Sequence, residues 1–252
     1  NGGVVNNNFG RIGDSQTADG MVLVEDQGSE WNTSGGLTVG GSGSGTATVL
    51  NGGSVRFSLL SLGSQPGSSG ILCVSGLGSE AVFNDNQQLT IGIAGVGNLV
   101  VSDGGSFKSP SPMTGLFEIA QAESSLGTVE VTGAGSILST DSFHVGVSGQ
   151  GSATALDGGR IEVDVCRIGE EPSASQDHFG EFTVGNGGEL EATVVVVGDK
   201  GTGSLIIEQG GMCEIAQSLF VGADPGSTGS TTVSGAGTML AITEATNVAY
   251  GL

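Results

Sequence analysis

The sequence predicts an all-β protein: a right-handed parallel β-helix (β-solenoid) of about nine coils, with three short strands per coil. Glycine accounts for 49 of the 252 residues, which disfavours helices because each Gly costs a helix about 1 kcal/mol relative to Ala. The hydrophobic content of 37% disfavours disorder. A Gly-marked unit recurs along the whole chain, so we treat residues 1–252 as one solenoid domain.

The repeat is an apolar-x-apolar-Gly signature that recurs every 23–29 residues. It ends at Gly13, Gly40, Gly63, Gly92, Ala120, Gly146, Gly169, Gly198, Gly222 and Gly251. A second Gly landmark follows inside each unit, as in Asn51-Gly52-Gly53. Units of this length fit stacked coils, whereas the alternative of a β-propeller needs about 40 or more residues per blade.

The first strand of each unit lies just before the signature Gly. Leu37 and Val39 alternate with polar Thr38, and this period of two is typical of a strand with one buried face. The second strand carries inward pairs such as Val129 and Val131. The second strands of the other units carry apolar pairs at the same spacing, so these pairs are expected to stack into one core.

A third strand follows the second Gly landmark. Its predicted inward residues are Val55, Phe107, Ile137, Ile161, Leu190, Cys213 and Met239. In two units Glu30 and Glu80 occupy this position, and we expect the register to slip so that Trp31 or Val82 points inward. Sharp corners between strands are expected to require Gly. Ala120 stands at one of them, so its coil is predicted to turn with an ordinary negative φ or with a locally different corner.

The two ends of the chain are expected to be assembly surfaces. Residues 1–12 are interpreted as an N-terminal segment that joins a neighbouring subunit, and residues 247–252 as an unfinished strand. The predicted interface residues are Val4, Val5, Phe9, Val248, Tyr250 and Leu252. Unfinished coils expose apolar residues and unpaired backbone groups, so copies of the chain are expected to stack head to tail.

The formal net charge of −20 limits the partners. Nucleic acid and anionic membranes would be repelled, and no apolar run is long enough for membrane insertion. Loop carboxylates are weak candidates for calcium ligands; they are Asp14, Asp19, Glu170, Glu171 and Asp177. No other cofactor is predicted.

Parallel β-helices include polysaccharide lyases and hydrolases, so an enzyme is one alternative. The candidate carboxylates lie in loops of different coils and form no repeated constellation. His144 and His178 are the only histidines, and we interpret both as solvated residues without a nucleophile beside them. The sequence therefore predicts no enzyme.

The strand register also sorts the three cysteines. Cys166 and Cys213 occupy inward positions and are predicted to be core residues. Cys73 lies between two inward residues and is expected to point outward. It belongs to an outward row with apolar members that suggests a lateral contact face, composed of Leu23, Cys73, Val100 and Ile206.

Two stretches resemble the autotransporter and PEP-CTERM-associated repeat family. The first combines Leu37-Thr38-Val39-Gly40, Gly45-Thr46-Ala47-Thr48-Val49 and Gly52-Gly53-Ser54-Val55, and the second is Gly127-Thr128-Val129-Glu130-Val131-Thr132-Gly133-Ala134-Gly135-Ser136. The resemblance covers nearly the whole chain. It implies a secreted, surface-displayed β-helical passenger of a Gram-negative-type bacterium, generally without enzymatic activity.

Three functions follow as hypotheses. The first is a non-enzymatic extracellular structural protein, a self-assembling subunit of a bacterial surface filament or matrix whose partners are its own copies and other matrix components. The second is the passenger stalk of an autotransporter-like adhesin. The third is a polysaccharide-cleaving enzyme.

Overall fold

The computed structural model describes residues 2–83, 88–108, 115–171 and 179–243. These residues contain 24 strands and no helix. The strands form two sheets with parallel pairing, stacked as a β-solenoid of about nine turns. The predicted all-β solenoid is thus confirmed, while its right-handed sense and the three strands in every coil stay predictions.

The N-terminal turns have three separate strands each. In chain order they are β1 (Val4–Asn7), β2 (Gly10–Ile12), β3 (Asp19–Glu25), β4 (Glu30–Thr33), β5 (Gly36–Val39), β6 (Ser44–Leu50), β7 (Ser54–Phe57), β8 (Leu59–Leu62), β9 (Ser69–Ser75), β10 (Glu80–Phe83), β11 (Gln88–Ile91), β12 (Val96–Ser102), β13 (Ser106–Lys108), β14 (Leu116–Ile119) and β15 (Leu126–Thr132).

From Ile137 onward, the third strand of one turn continues without a break into the first strand of the next. The remaining strands are β16 (Ile137–Val145), β17 (Gln150–Leu156), β18 (Arg160–Ile168), β19 (Gly180–Gly185), β20 (Glu189–Val197), β21 (Thr202–Glu208), β22 (Met212–Val221), β23 (Thr228–Ser234) and β24 (Met239–Ile242). These long strands join the first and third strands of all turns into one sheet of 15 strands.

The second strands form a separate nine-stranded sheet that runs from β3 to β23. Its pairing is in register from turn to turn, so Leu99 pairs with Leu72 on one side and Val129 on the other. One continuous core lies between the two sheets. Stacked phenylalanine rings run through it with centroid separations of 5.1–6.1 Å, involving Phe57 or Phe83, Phe107, Phe117, Phe143 and Phe182.

Burial confirms the inward positions of the first two strands in most described turns, but Val233 in the last described turn is 47% exposed, and Val248 and Tyr250 lie outside the described residues. The third row needs corrections. Trp31 is inward as expected, since it pairs with Val55. Val82 is buried as expected, but Ala81, not Val82, pairs with Val55 and joins the core cluster. Leu138 and Leu240, rather than Ile137 and Met239, are the partners of Phe107 and Cys213.

The cause of these shifts is a corner with one additional residue. In β9–β10 the corner ends in Gly78-Ser79, and buried Ser79 occupies the place that Gly53 has in the previous turn. Ser79 Oγ accepts a hydrogen bond from Gly52 N (3.0 Å) and donates one to Ser75 O (2.7 Å). The added residue therefore satisfies a backbone donor of the neighbouring turn while moving the following strand by one position.

The other corners, between first and second strands, alternate in length. Five-residue corners span 14–18, 64–68, 121–125 and 223–227, and three-residue corners span 41–43, 93–95, 147–149 and 199–201. Short corners nest against long ones. Gly95 of a short corner lies so close to Ser68 of the preceding long corner that a Cβ on Gly95 would be 2.5 Å from Ser68 O. Adjacent turns are therefore not equivalent, and the structural repeat spans two turns.

The predicted negative φ of Ala120 is wrong. Ala120 has φ = 59°, close to the 79° of Gly92 in the turn before. Its carbonyl accepts hydrogen bonds from Ser148 N (3.1 Å) and Gly149 N (3.0 Å), as Gly63 O does from Ala94 N and Gly95 N. A left-handed conformation costs an L-residue about 1–2 kcal/mol, and the preserved corner bonds offset that cost here.

Candidate functional site

The most organised polar group lies on the outer face of β16. Phe143 points into the core, so Ser142 and His144 on either side of it share the outward face. Ser142 Oγ lies 2.8 Å from His144 Nε2, and His144 Nδ1 lies 2.7 Å from Glu170 Oε2. A serine, a histidine and a carboxylate are thus linked in one chain of hydrogen bonds.

The stacking of turns brings Glu170 to this place. β18 ends at Ile168, and Gly169 turns the chain with φ = 73°. Glu170 N then donates to Gly146 O at 3.2 Å, which fixes the glutamate backbone over the end of β16. The carboxylate therefore reaches His144 from the following turn, 26 residues away in sequence.

Charged neighbours flank His144 on both adjacent strands. Glu118 of β14 and Arg167 of β18 are its direct partners in the ladder. Buried Glu118 accepts hydrogen bonds from Gln121 Nε2 (2.9 Å) and from Gln88 Nε2. Arg167 donates to Asp199 Oδ2 at 2.6 Å. These contacts hold the imidazole in a polar wall where it is only 7% exposed.

The electrostatics of this wall keep Glu170 ionised. Burial would raise the pKa of Glu170, but the hydrogen bond from His144 and the positive charges of His144, Arg167 and Lys200 outweigh burial. The net result is a pKa below the ordinary value of the carboxyl group. When the imidazole is neutral, the ionised carboxylate accepts a hydrogen bond from Nδ1–H, and Nε2 then accepts a hydrogen bond from the Ser142 hydroxyl.

This arrangement has the parts of an activated nucleophile: a hydroxyl, a base that takes its proton and a carboxylate that orients the base. The interpretation of His144 as a solvated residue with no serine or cysteine beside it is wrong, because His144 is buried and the Ser142 hydroxyl lies within hydrogen-bond distance. The spacing of Ser142 and His144 was visible in the sequence, but the role of Glu170 depends on the stacking register. His178 lies outside the described residues.

A second acidic group lines a shallow groove on the same sheet. Glu162, Glu191 and Glu214 are consecutive rungs of one ladder across β18, β20 and β22. Arg160 forms ion pairs with Glu162 and with Glu191, the latter at 2.6 Å. The groove has a volume of about 320 Å³.

Two aspartates meet beside that groove. Burial, a hydrogen bond with Asp164 and the charge of Asp164 raise the pKa of Asp141. Thr193 Oγ1 donates to Asp164 Oδ1 at 3.3 Å. The two carboxyl groups are therefore expected to share a proton more readily than isolated aspartates do.

The calcium candidates are not brought together. Asp14 pairs with Arg11 at 3.2 Å and Glu170 with His144, while Asp19 and Glu171 are exposed. Asp177 lies outside the described residues. Within the described ranges, no group of three or more Asp, Glu, His or Cys side chains is arranged to hold a metal ion.

At the N-terminal end, the predicted interface residues Val4, Val5 and Phe9 are exposed by 56%, 57% and 60%. β1 pairs on one side only, with β4. A groove of about 740 Å³ lies between β1 and β3, where a further second strand would fit. Val248, Tyr250 and Leu252 lie outside the described residues.

The lateral row forms as its register predicts. Leu23, Thr48, Cys73 and Val100 are consecutive rungs of the nine-stranded sheet. Leu23 is exposed and the other three are half-buried, as is Ile206 further along the row. Whether another molecule covers this face stays a prediction.

The three cysteines are free thiols. Burial raises the pKa of Cys213 to about 12, and burial raises that of Cys166 further. Burial and the charge of Glu130 raise the pKa of Cys73. All three therefore remain protonated at neutral pH and are poor nucleophiles.

Comparison with protein-family models, with curated proteins and with solved structures finds no match to this chain. Within the described residues, no helix is long and apolar enough to cross a membrane.

Proposed function

We propose that the chain is a non-enzymatic extracellular structural protein, a β-solenoid subunit that stacks head to tail in a bacterial surface filament or matrix. The observation that supports this is the open core at the last described turn. Val233 is 47% exposed, whereas Ile207, its partner in the preceding turn, is fully buried. Leu240 is likewise half-buried, whereas its partner Cys213 is fully buried. Among the described strands, β23 and β24 each pair on one side only, so their other edges can accept another strand.

Charge also favours contact between copies. Within residues 222–243 the only charged side chain is Asp224, and residues 1–10 contain none. A chain with a net charge of −20 repels its own copies over most of its surface. These two regions, with one charged side chain between them, are therefore the surfaces on which copies would meet with the least repulsion.

In the proposed filament, two copies join through their third strands. β1 of one copy stacks on β24 of the next, which places Val5 over Leu240 because both belong to the inward row of the third strands. This leaves one position of the nine-stranded sheet unfilled between β23 and β3. The corners that precede β23 and β3 are both long, and the unfilled position between these strands is where a turn with a short corner would lie. The alternation of long and short corners would therefore continue across the junction.

A substitution in the junction tests the proposal. The intact chain is expected to sediment as fibres, whereas Val5→Asp is expected to remain as rods about 43 Å long, from nine turns at about 4.8 Å each. Leu77→Asp is the matched control, since Leu77 is 87% exposed on a lateral corner away from both ends. Deletion of residues 247–252 is expected to shorten the assemblies too. An intact chain that stays monomeric at high concentration overturns the proposal.

The alternative of an adhesin stalk predicts discrete rods at every concentration, because a stalk needs no junction between copies. The polysaccharide-cleaving alternative rests on the acidic groove and on the Asp141–Asp164 pair. It predicts release of reducing ends from a polysaccharide that is lost in Asp164→Asn. Electron microscopy and a reducing-end assay separate these alternatives from the filament.

A further inference from the structure

We propose that Ser142 is a nucleophilic serine that accepts an acyl group from activated esters. The reaction is a single acylation of the chain's own serine without turnover, so it is compatible with the non-enzymatic filament subunit proposed above and does not depend on filament assembly. It rests on the hydrogen-bonded chain from Ser142 Oγ through His144 to Glu170, with separations of 2.8 and 2.7 Å. These are hydrogen-bond distances at which a base can take a proton from a hydroxyl nucleophile.

Ser142, His144 and Glu170 differ in exposure and contacts, and these differences assign a role to each. His144 is shielded, so its hydrogen bonds lie in a setting of low dielectric constant where they are stronger than in water. Ser142 is half-buried and so remains reachable. Glu170 holds the imidazole through Nδ1 and acts as a positioning residue, because its carboxylate does not touch the hydroxyl.

The surroundings of Ser142 indicate the class of acyl group. Its direct ladder neighbours are Leu116 on β14 and Val165 on β18, both half-buried. An apolar acyl chain placed beside the hydroxyl would cover these two side chains. Short aliphatic esters with a good leaving group are therefore the expected substrates.

The chemical step balances without a cofactor. Ser142 Oγ attacks the ester carbonyl carbon while its proton moves to His144 Nε2. The bond between that carbon and the leaving oxygen then breaks, and the imidazolium returns the proton to the departing alcohol. The products are an ester on Ser142 and a free alcohol, with His144 neutral again.

The test uses the full chain and p-nitrophenyl butyrate. We expect release of nitrophenolate together with a butyryl adduct that peptide mapping places on Ser142. Ser142→Ala should abolish the adduct, and His144→Gln should slow its formation by about 100-fold or more. Glu170→Gln should slow it as well, with Glu170→Asp restoring part of the rate and leaving the adduct on Ser142.

Ser218 provides a matched control within the same fold. It lies in the same row of the ladder as Ser142, reached through Val165 and Val194, but Phe220 stands where Ser142 has His144. Ser218→Ala should leave adduct formation unchanged, and Ser218 itself should stay unmodified. An unmodified Ser142 in the native chain, or equal labelling of Ser142 and Ser218, overturns the proposal.

Discussion

Gly92→Ala tests why the first corner of each turn needs glycine. Gly92 has φ = 79°, and a Cβ built on it would lie 2.4 Å from Leu126 O and 2.9 Å from Leu126 C in the next turn. Ala120 shows that a positive φ alone is tolerated at this position. Ala120 carries its Cβ although the next turn covers it too, so the requirement for Gly at residue 92 is attributed to the close approach of Leu126 O in particular rather than to the dihedral angle.

The expected magnitude follows from two contributions. The left-handed conformation costs Ala about 1–2 kcal/mol, partly offset by the lower entropy of the unfolded chain. Overpacking against backbone that is itself hydrogen-bonded adds about 1–3 kcal/mol. Gly92→Ala is thus expected to destabilise the protein by about 3 kcal/mol.

Gly222→Ala is the matched control. Gly222 occupies the same place in the last described turn with φ = 66°, but the nearest described atom to its Cβ would be Gly229 N at 3.9 Å. This variant carries the conformational cost without the clash, so a loss of about 1 kcal/mol is expected. Urea unfolding followed by circular dichroism measures both. Equal losses would refute the argument that the next turn dictates glycine.

Two further predictions concern side chains at a corner and at the candidate site. Ser79→Ala removes the acceptor for Gly52 N and should lower the free energy of unfolding in urea by about 1–3 kcal/mol. Ser54→Ala is the control: the Ser54 hydroxyl has no partner among the described residues, so its loss should change stability by less than about 0.5 kcal/mol. Glu170 has a lowered pKa in the folded chain, so its stabilising contribution is present above its ordinary pKa of 4.5 and is lost as pH falls through the folded value. Wild type should therefore exceed Glu170→Gln in stability at pH 7 and lose that advantage as the pH is lowered well below 4.5; an unchanged difference would contradict the assignment.

Periodicity was sufficient to predict the core of the first two strands. Leu37, Val39, Val129 and Val131 are buried as their alternation with polar residues indicates. The third strand was harder, because an extra corner residue such as Ser79 reverses which side chains face inward. Ser79 replaces a glycine in the alignment of turns, so the Gly landmark alone misplaced the inward residue of β10 by one position.

The candidate site could not be predicted from the pattern within one strand, because it combines residues of two turns. Ser142 and His144 are two residues apart, but Glu170 reaches them only because successive turns stack in register. A signal existed: His144 stands two residues before Gly146, and Glu170 stands one residue after Gly169, the same landmark in the next turn. Comparing residues around equivalent landmarks of adjacent turns would have paired them.

Assembly and stability are coupled in a solenoid, since each turn is stabilised mainly by its neighbours. An interior residue such as Val49 is covered by turns on both sides, whereas Val233 in the last described turn is largely uncovered. Burying such side chains contributes about 25 cal/mol per Å² of apolar surface. In the proposed filament, a second copy stacked on the last described turn would stabilise that turn most, so assembly would protect the part of each subunit that unfolds most easily alone.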